Sequence, residues 1–173
     1  MTDEHAPGTS EYDRRGVTAS GGPLTARGSR FGIVVARFNS GITGALYDAA
    51  VDVLLDHGAV PNHIVSVQVP GCVEIPLAAR ELAEHHSVGA IIALGCVIRG
   101  DTAHFDYVCS TVTDGCLAVQ LSLGVPVGFG IITCDTAEQA SDRCQPAPGH
   151  NVGADATRAA LEMSGLLRFV RSS

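Results

Sequence analysis

From Phe31 onward the chain alternates short apolar runs with longer stretches of helical period. Phe31 to Ala36 and Ala90 to Leu94 are continuous and apolar, the pattern of strands covered on both faces of a sheet. Between them Ile42, Leu46, Ala50 and Val53 recur at helical spacing, while Asp48, Asp52 and Asp56 fall on the opposite, solvated side. Gly58 and Pro61 end that helix. The pattern predicts strands at Phe31 to Ala36, His63 to Val69, Ala90 to Leu94 and Val125 to Ile131. It predicts helices at Ile42 to His57, Ile75 to His85 and Ala103 to Leu123, and two closing helices at Thr136 to Arg143 and Ala154 to Leu166. A breaker-rich stretch from Gln145 to Gly153 separates the last two. Strict strand–helix alternation implies an α/β fold: a four-stranded parallel sheet with helices on both faces.

Residues 1–30 mix Gly, Ser, Thr, Pro and both charge signs without hydrophobic period, and are expected to form a mobile N-terminal arm. Residues 31–173 are expected to form one α/β domain, with no internal repeat. A chain of 173 residues with 46% hydrophobic content can bury a core without staples. The six cysteines show no tight metal-ligand spacing and no signal peptide precedes them, so reduced thiols in the cytoplasm are expected, with no metal. No apolar run approaches the length of a membrane span.

The net charge of −7 disfavours nucleic-acid binding and makes any anion site depend on a local cation. All 11 basic residues are arginines. Without lysine the chain can form no lysine Schiff base with a carbonyl substrate. The phosphate-loop and dinucleotide glycine motifs are absent as well, and no cofactor is expected.

Candidate chemistry concentrates where a parallel sheet binds ligands, just beyond the carboxyl ends of its strands. Those ends read Arg37-Phe38-Asn39, Pro70 to Glu74, Cys96 to His104, and Phe129-Gly130 leading to Thr133. Phe38 and Phe129 are core aromatics or ring-stacking platforms. Glu74 either favours a helix N-terminus or binds a polyol or amide. Asp101 or Thr102 can cap the helix near Ala103, where an anion would also be held. His104, in the first turn of that helix, is a candidate for proton transfer. Arg143 matters only if the fold brings it to the same anion site.

The segments Ala36 to Asn39, Val69 to Pro76, Gly95 to Phe105, Phe129 to Thr133 and Glu138 to Arg143, in this order and spacing, resemble the lumazine synthase family. The resemblance covers about residues 31 to 167. It implies a three-layer flavodoxin-like fold and assembly as a homopentamer or a larger icosahedral shell, with active sites between subunits. It also implies condensation of 5-amino-6-ribitylaminouracil with 3,4-dihydroxy-2-butanone 4-phosphate to 6,7-dimethyl-8-ribityllumazine, a step of riboflavin biosynthesis. Riboflavin synthase is then a further candidate partner.

By that resemblance Phe38 stacks on the pyrimidine, and Cys72, Val73 and Glu74 hold it and its ribityl chain. Cys96, Val97 and Ile98 contribute mostly backbone contacts, Asp101 and Thr102 meet the phosphate, and His104 moves protons. Phe129 and Arg143 reach in from the neighbouring subunit. Two departures stand out. Val152 replaces a lysine usual in the family, and Gly128 replaces a larger residue, which would enlarge the pocket wall beside Phe129. They keep two alternatives in view: a paralogue condensing a different aminopyrimidine and carbonyl pair, and a shell-forming ligand carrier without turnover.

Overall fold

In a computed structural model, described over residues 21–172, four parallel strands stand in the order β2-β1-β3-β4. They are β1 (Phe31–Ala36), β2 (Ile64–Val69), β3 (Ala90–Ile98) and β4 (Val127–Cys134). The helices are α1 (Ser40–Asp56), α2 (Ile75–His85), α3 (His104–Leu123), the short α4 (Ala137–Ser141) and α5 (Val152–Ser172). Among the described residues, no helix is long and apolar enough to cross a membrane.

The two-residue alternation of the strands divides the core into two layers. Phe31, Ile33, Val35, Ile92, Leu94, Cys96 and Ile132 pack with α1 and α5. Val34, Ala36, Ile91, Ala93 and Ile131 pack on the other face with α2 and α3. β1 is buried at every residue, whereas edge strand β2 is buried only at Val69. Asn151 fixes the start of α5: its Oδ1 accepts the N–H groups of Gly153 at 2.9 Å and Ala154 at 3.2 Å, and its Nδ2 donates to the Ala45 carbonyl of α1.

The expected elements are present, with several shifted ends. β3 continues four residues past Leu94, because Gly95 to Ile98 pair in register with Ile131 to Cys134 of β4. Gly95 is part of a strand, not a turn. A Cβ there would come 2.5 Å from Cys72 Sγ, so the missing side chain lets the turn after β2 close against β3. β4 ends at Cys134 rather than Ile131, α4 is shorter than expected, and α5 extends to Ser172. Of the expected arm, residues 1–20 lie outside the described residues. Residues 21–30 run without helix or strand: Ala26 is buried and its N–H donates to the His57 carbonyl at 3.0 Å, while Arg168 of α5 donates to Ser29 Oγ.

Candidate active site

The strand order reverses between β1 and β3, since the chain leaves β1 for β2 on one side and returns to build β3 and β4 on the other. Open α/β sheets bind ligands at this reversal, beyond the carboxyl ends. Asn39 closes the seam there. Its backbone is left-handed, with φ 58, which Asn tolerates better than most residues, and its Nδ2 donates to the Cys96 carbonyl at 3.0 Å. Just before it, the Arg37 N–H donates to Val69 O at 2.9 Å and the Phe38 N–H to Pro70 O at 3.3 Å, extending the pairing with β2 beyond the strands. The turn leaves Phe38 70% exposed, an aromatic face free of the core.

The turn after β2 forms the floor beside this ring. A Cβ on Gly71 would sit 3.3 Å from both Phe38 Cδ2 and Glu74 Oε2, so the glycine keeps ring and carboxylate adjacent. Glu74 Oε2 accepts the Gly71 N–H at 2.8 Å. Val73 and Glu74 are exposed, but Cys72 is buried. Burial pushes the Cys72 thiol up to about 11 and the Cys96 thiol up to about 12, so neither sulfur is a nucleophile near neutral pH. What Cys72 and Cys96 can offer a ligand is backbone, and the Cys96 carbonyl is already engaged by Asn39.

Beyond half-buried Val97 and Ile98, the turn into α3 exposes Arg99, Gly100, Asp101, Thr102, Ala103 and His104. Neither expected residue caps α3: Ala103 holds the cap position without a side-chain bond, and Thr102, one residue before it, accepts the His104 N–H at Oγ1 at 3.4 Å. His104 is thus the first residue of α3 with its imidazole at the surface. Sequence reasoning passed over Arg99, which the structure places at the centre of this turn. Arg99 Nε donates to Asp135 Oδ1 at 2.9 Å, Nη1 to Asp106 Oδ1 at 3.2 Å, and the guanidinium lies 4.0 Å from the centroid of the Phe105 ring. A cation directly after an apolar strand, with a carboxylate one turn into the next helix, was the available signal.

On β4, Phe129 is 39% exposed and lies between Gly128 and Gly130, whose side-chain positions both meet Ala156 of α5, so strand alternation turns Phe129 away from that helix. Gly128 corrects an expectation: it does not enlarge the wall beside Phe129, because neighbouring strand residues face opposite sides. Gly128 is buried toward α5, where an added Cβ would come 2.3 Å from the Ala156 carbonyl oxygen. Arg143 follows α4 and is exposed, with Nη1 donating to the Gln139 carbonyl at 2.8 Å. Val152 is half-buried against the α1–α5 core layer, and its N–H donates to the Arg143 carbonyl at 2.9 Å. Position 152 therefore adjoins the arginine but carries an apolar side chain.

Two cavities flank edge strand β2. One of about 840 Å³ is lined by Ala36, Arg37, Tyr47, Ser66 and Gln68 among others, and one of about 580 Å³ by Val69, Glu74, Leu77 and Leu82 among others. Neither is lined by His104, Phe129 or Arg143. Of the candidate residues, Glu74 lines the smaller of the two, while the Gly100 to His104 turn, Phe129 and Arg143 are exposed.

A three-layer parallel α/β protein with its polar groups gathered at the strand-order reversal is the class these features define. Residues 28–168 match the family model described as 6,7-dimethyl-8-ribityllumazine synthase. A relative from Aquifex aeolicus (strain VF5), named 6,7-dimethyl-8-ribityllumazine synthase, is 45% identical over 150 residues, which cover 87% of this chain and 97% of that protein. The chain belongs to the 6,7-dimethyl-8-ribityllumazine synthase family.

Proposed function

We propose that this chain condenses 5-amino-6-ribitylaminouracil with 3,4-dihydroxy-2-butanone 4-phosphate, releasing phosphate and water and forming 6,7-dimethyl-8-ribityllumazine. The observation that supports the residue roles is the Asn39–Cys96 seam, which ties the end of β1, where Phe38 stands exposed beside the Gly71–Glu74 turn, to β3, whose chain runs on into the His104 turn. Phe38 offers a face for the uracil ring, and Val73 and Glu74 receive the ring edge and ribityl hydroxyls. Cys72, Cys96, Val97 and Ile98 supply backbone. The substrate brings its own amine, so a chain without lysine is chemically sufficient.

The uracil amine adds to the ketone and loses water to give an imine. Proton loss from the butanone carbon skeleton then expels phosphate, and ring closure with loss of a second water completes the product. His104 takes and returns the protons, a role typically worth about 10²–10⁴-fold. Thr102 and the amides of the turn hold the phosphate, with Asp101 beside it. In a chain of net charge −7 that phosphate needs a cation, and Arg143 of a neighbouring copy supplies it, with Phe129 of the same neighbour covering the ring. A site so divided requires self-association, and the family resemblance makes a homopentamer or a larger shell the assembly of this reading. In this reading the reaction runs in the cytoplasm, and riboflavin synthase is the proposed consumer of the product.

With Gly128 turned toward α5, Val152 is the remaining departure behind the alternative of a paralogue condensing a different aminopyrimidine and carbonyl pair, which the family match does not favour. The direct test is to mix purified protein with both substrates and follow phosphate release and lumazine absorbance. Acceleration over the uncatalysed background supports the reading, and a rate equal to background rejects it.

A further inference from the structure

The geometry points to Arg99 as a positioning residue that holds the Gly100 to His104 turn in its working shape. The inference rests on the functional reading above, because it concerns the turn that carries Asp101, Thr102 and His104.

The turn has little else to define it. All of its residues from Gly100 to His104 are exposed, and a Cβ on Gly100 would meet nothing within 4 Å. Its internal bonds are local ones, from the His104 N–H to Thr102 Oγ1 at 3.4 Å and from the Asp106 N–H to Ala103 O at 3.0 Å. Neither ties the turn to the sheet. Arg99 does. Its backbone N–H extends the β3–β4 ladder by donating to Cys134 O at 2.9 Å, which makes it a fixed foot of the arch.

From that foot the side chain reaches over the arch to the far side, where Phe105 and Asp106 stand in the first turn of α3. One edge of the guanidinium takes Asp106, another takes Asp135 at the end of β4, and its face lies against Phe105. Three different directions of one planar group are thereby used, which fixes orientation as a single ion pair does not. Asp135 is itself held, since its N–H donates to Gln139 Oε1 at 2.9 Å. His104 lies between the foot and the clamped residues, so its backbone is pinned on both sides. None of these groups needs to touch a substrate. Their effect is on where the imidazole and the phosphate-binding hydroxyl stand, and displacement of about 1 Å at a reacting group can cost up to 10²-fold in rate.

Arg99→Gln removes the charge and the fork and leaves a shorter, neutral polar side chain. The expected result is a kcat lower by about ten- to a hundredfold and a raised KM for the butanone phosphate, with the KM for the aminouracil unchanged. The thermal midpoint should hold, because exposed ion pairs contribute little to stability. Arg99→Lys, which keeps the charge but not the planar fork or the flat face against Phe105, should recover part of the kcat. The bracing role is overturned if Arg99→Gln keeps the wild-type kcat, if Arg99→Lys is no better than Arg99→Gln, or if the loss of rate only follows a loss of folded protein. Those outcomes are separate from failure of the functional reading, which would appear as a wild-type protein that does not accelerate the reaction.

Discussion

The Asn39 side chain and the Cys96 backbone carbonyl, 57 residues apart in sequence, meet at 3.0 Å across the seam where the strand order reverses. One hydrogen bond therefore joins the ends of β1 and β3 beneath the proposed pyrimidine site. Asn39→Ala should lose that bond and place a less tolerant residue at positive φ. We expect a cost of about 1–3 kcal/mol in chemical denaturation. Asn39→Gly relieves the backbone but not the lost bond, so it should be the milder of the two, and an Asn39→Ala protein as stable as wild type would show the seam to be unimportant.

Gly128 bears on packing rather than on substrate choice. Gly128→Ala forces a methyl group against the Ala156 carbonyl, and should destabilise the fold by about 1–3 kcal/mol. The surviving folded enzyme should discriminate among carbonyl partners as wild type does. A changed substrate preference with unchanged stability would restore the pocket-wall reading.

Val152→Lys tests the other departure. Position 152 adjoins Arg143 through a 2.9 Å backbone bond, so a new ammonium there should lower the KM for the butanone phosphate, with about 1–3 kcal/mol available from a charged hydrogen bond. An unchanged KM would show that the Val152 side chain does not look toward the phosphate.

The buried thiols set an alkaline limit. Burial holds Cys72 and Cys116 at about 11 and Cys96 at about 12, against an ordinary thiol value of 9.0. In the unfolded chain these thiols ionise near 9 while in the folded chain they stay protonated, so the folded state binds more protons and stability falls as pH rises. The contribution of these thiols to the denaturation midpoint should be constant below pH 9 and decline from there to about 12. Cys96→Ser should lessen the decline, and a wild-type midpoint that rises over this interval would contradict the burial.

Much of this architecture is written in local patterns. β1 and α2 begin and end at the residues their periodicity indicates, because an unbroken apolar run and an amphipathic stretch closed by His85 leave little choice. β3 is harder: the apolar run stops at Leu94, and only the structure shows Gly95 inside the strand, its missing side chain leaving the space that Cys72 Sγ occupies. Gly128 misleads for the opposite reason, since composition says that a side chain is missing but not which face it is missing from. His104 is legible as candidate chemistry at a helix start, Phe38 stays open between core and stacking platform until its turn is seen, and the Arg99 clamp depends on Asp135, whose approach is set by β3–β4 pairing across 36 residues. Partners supplied by a second copy leave no trace in the spacing of one chain.

The central claim is that His104 of one subunit and Arg143 of its neighbour serve one site. Subunit complementation tests it most directly: His104→Ala and Arg143→Ala proteins are assayed alone, then dissociated, mixed in equal amounts and reassembled. Each variant alone should be severely impaired. The mixture should regain roughly a quarter of wild-type activity, the share of random interfaces that pair an intact imidazole with an intact guanidinium. A mixture no more active than its two components would contradict the account.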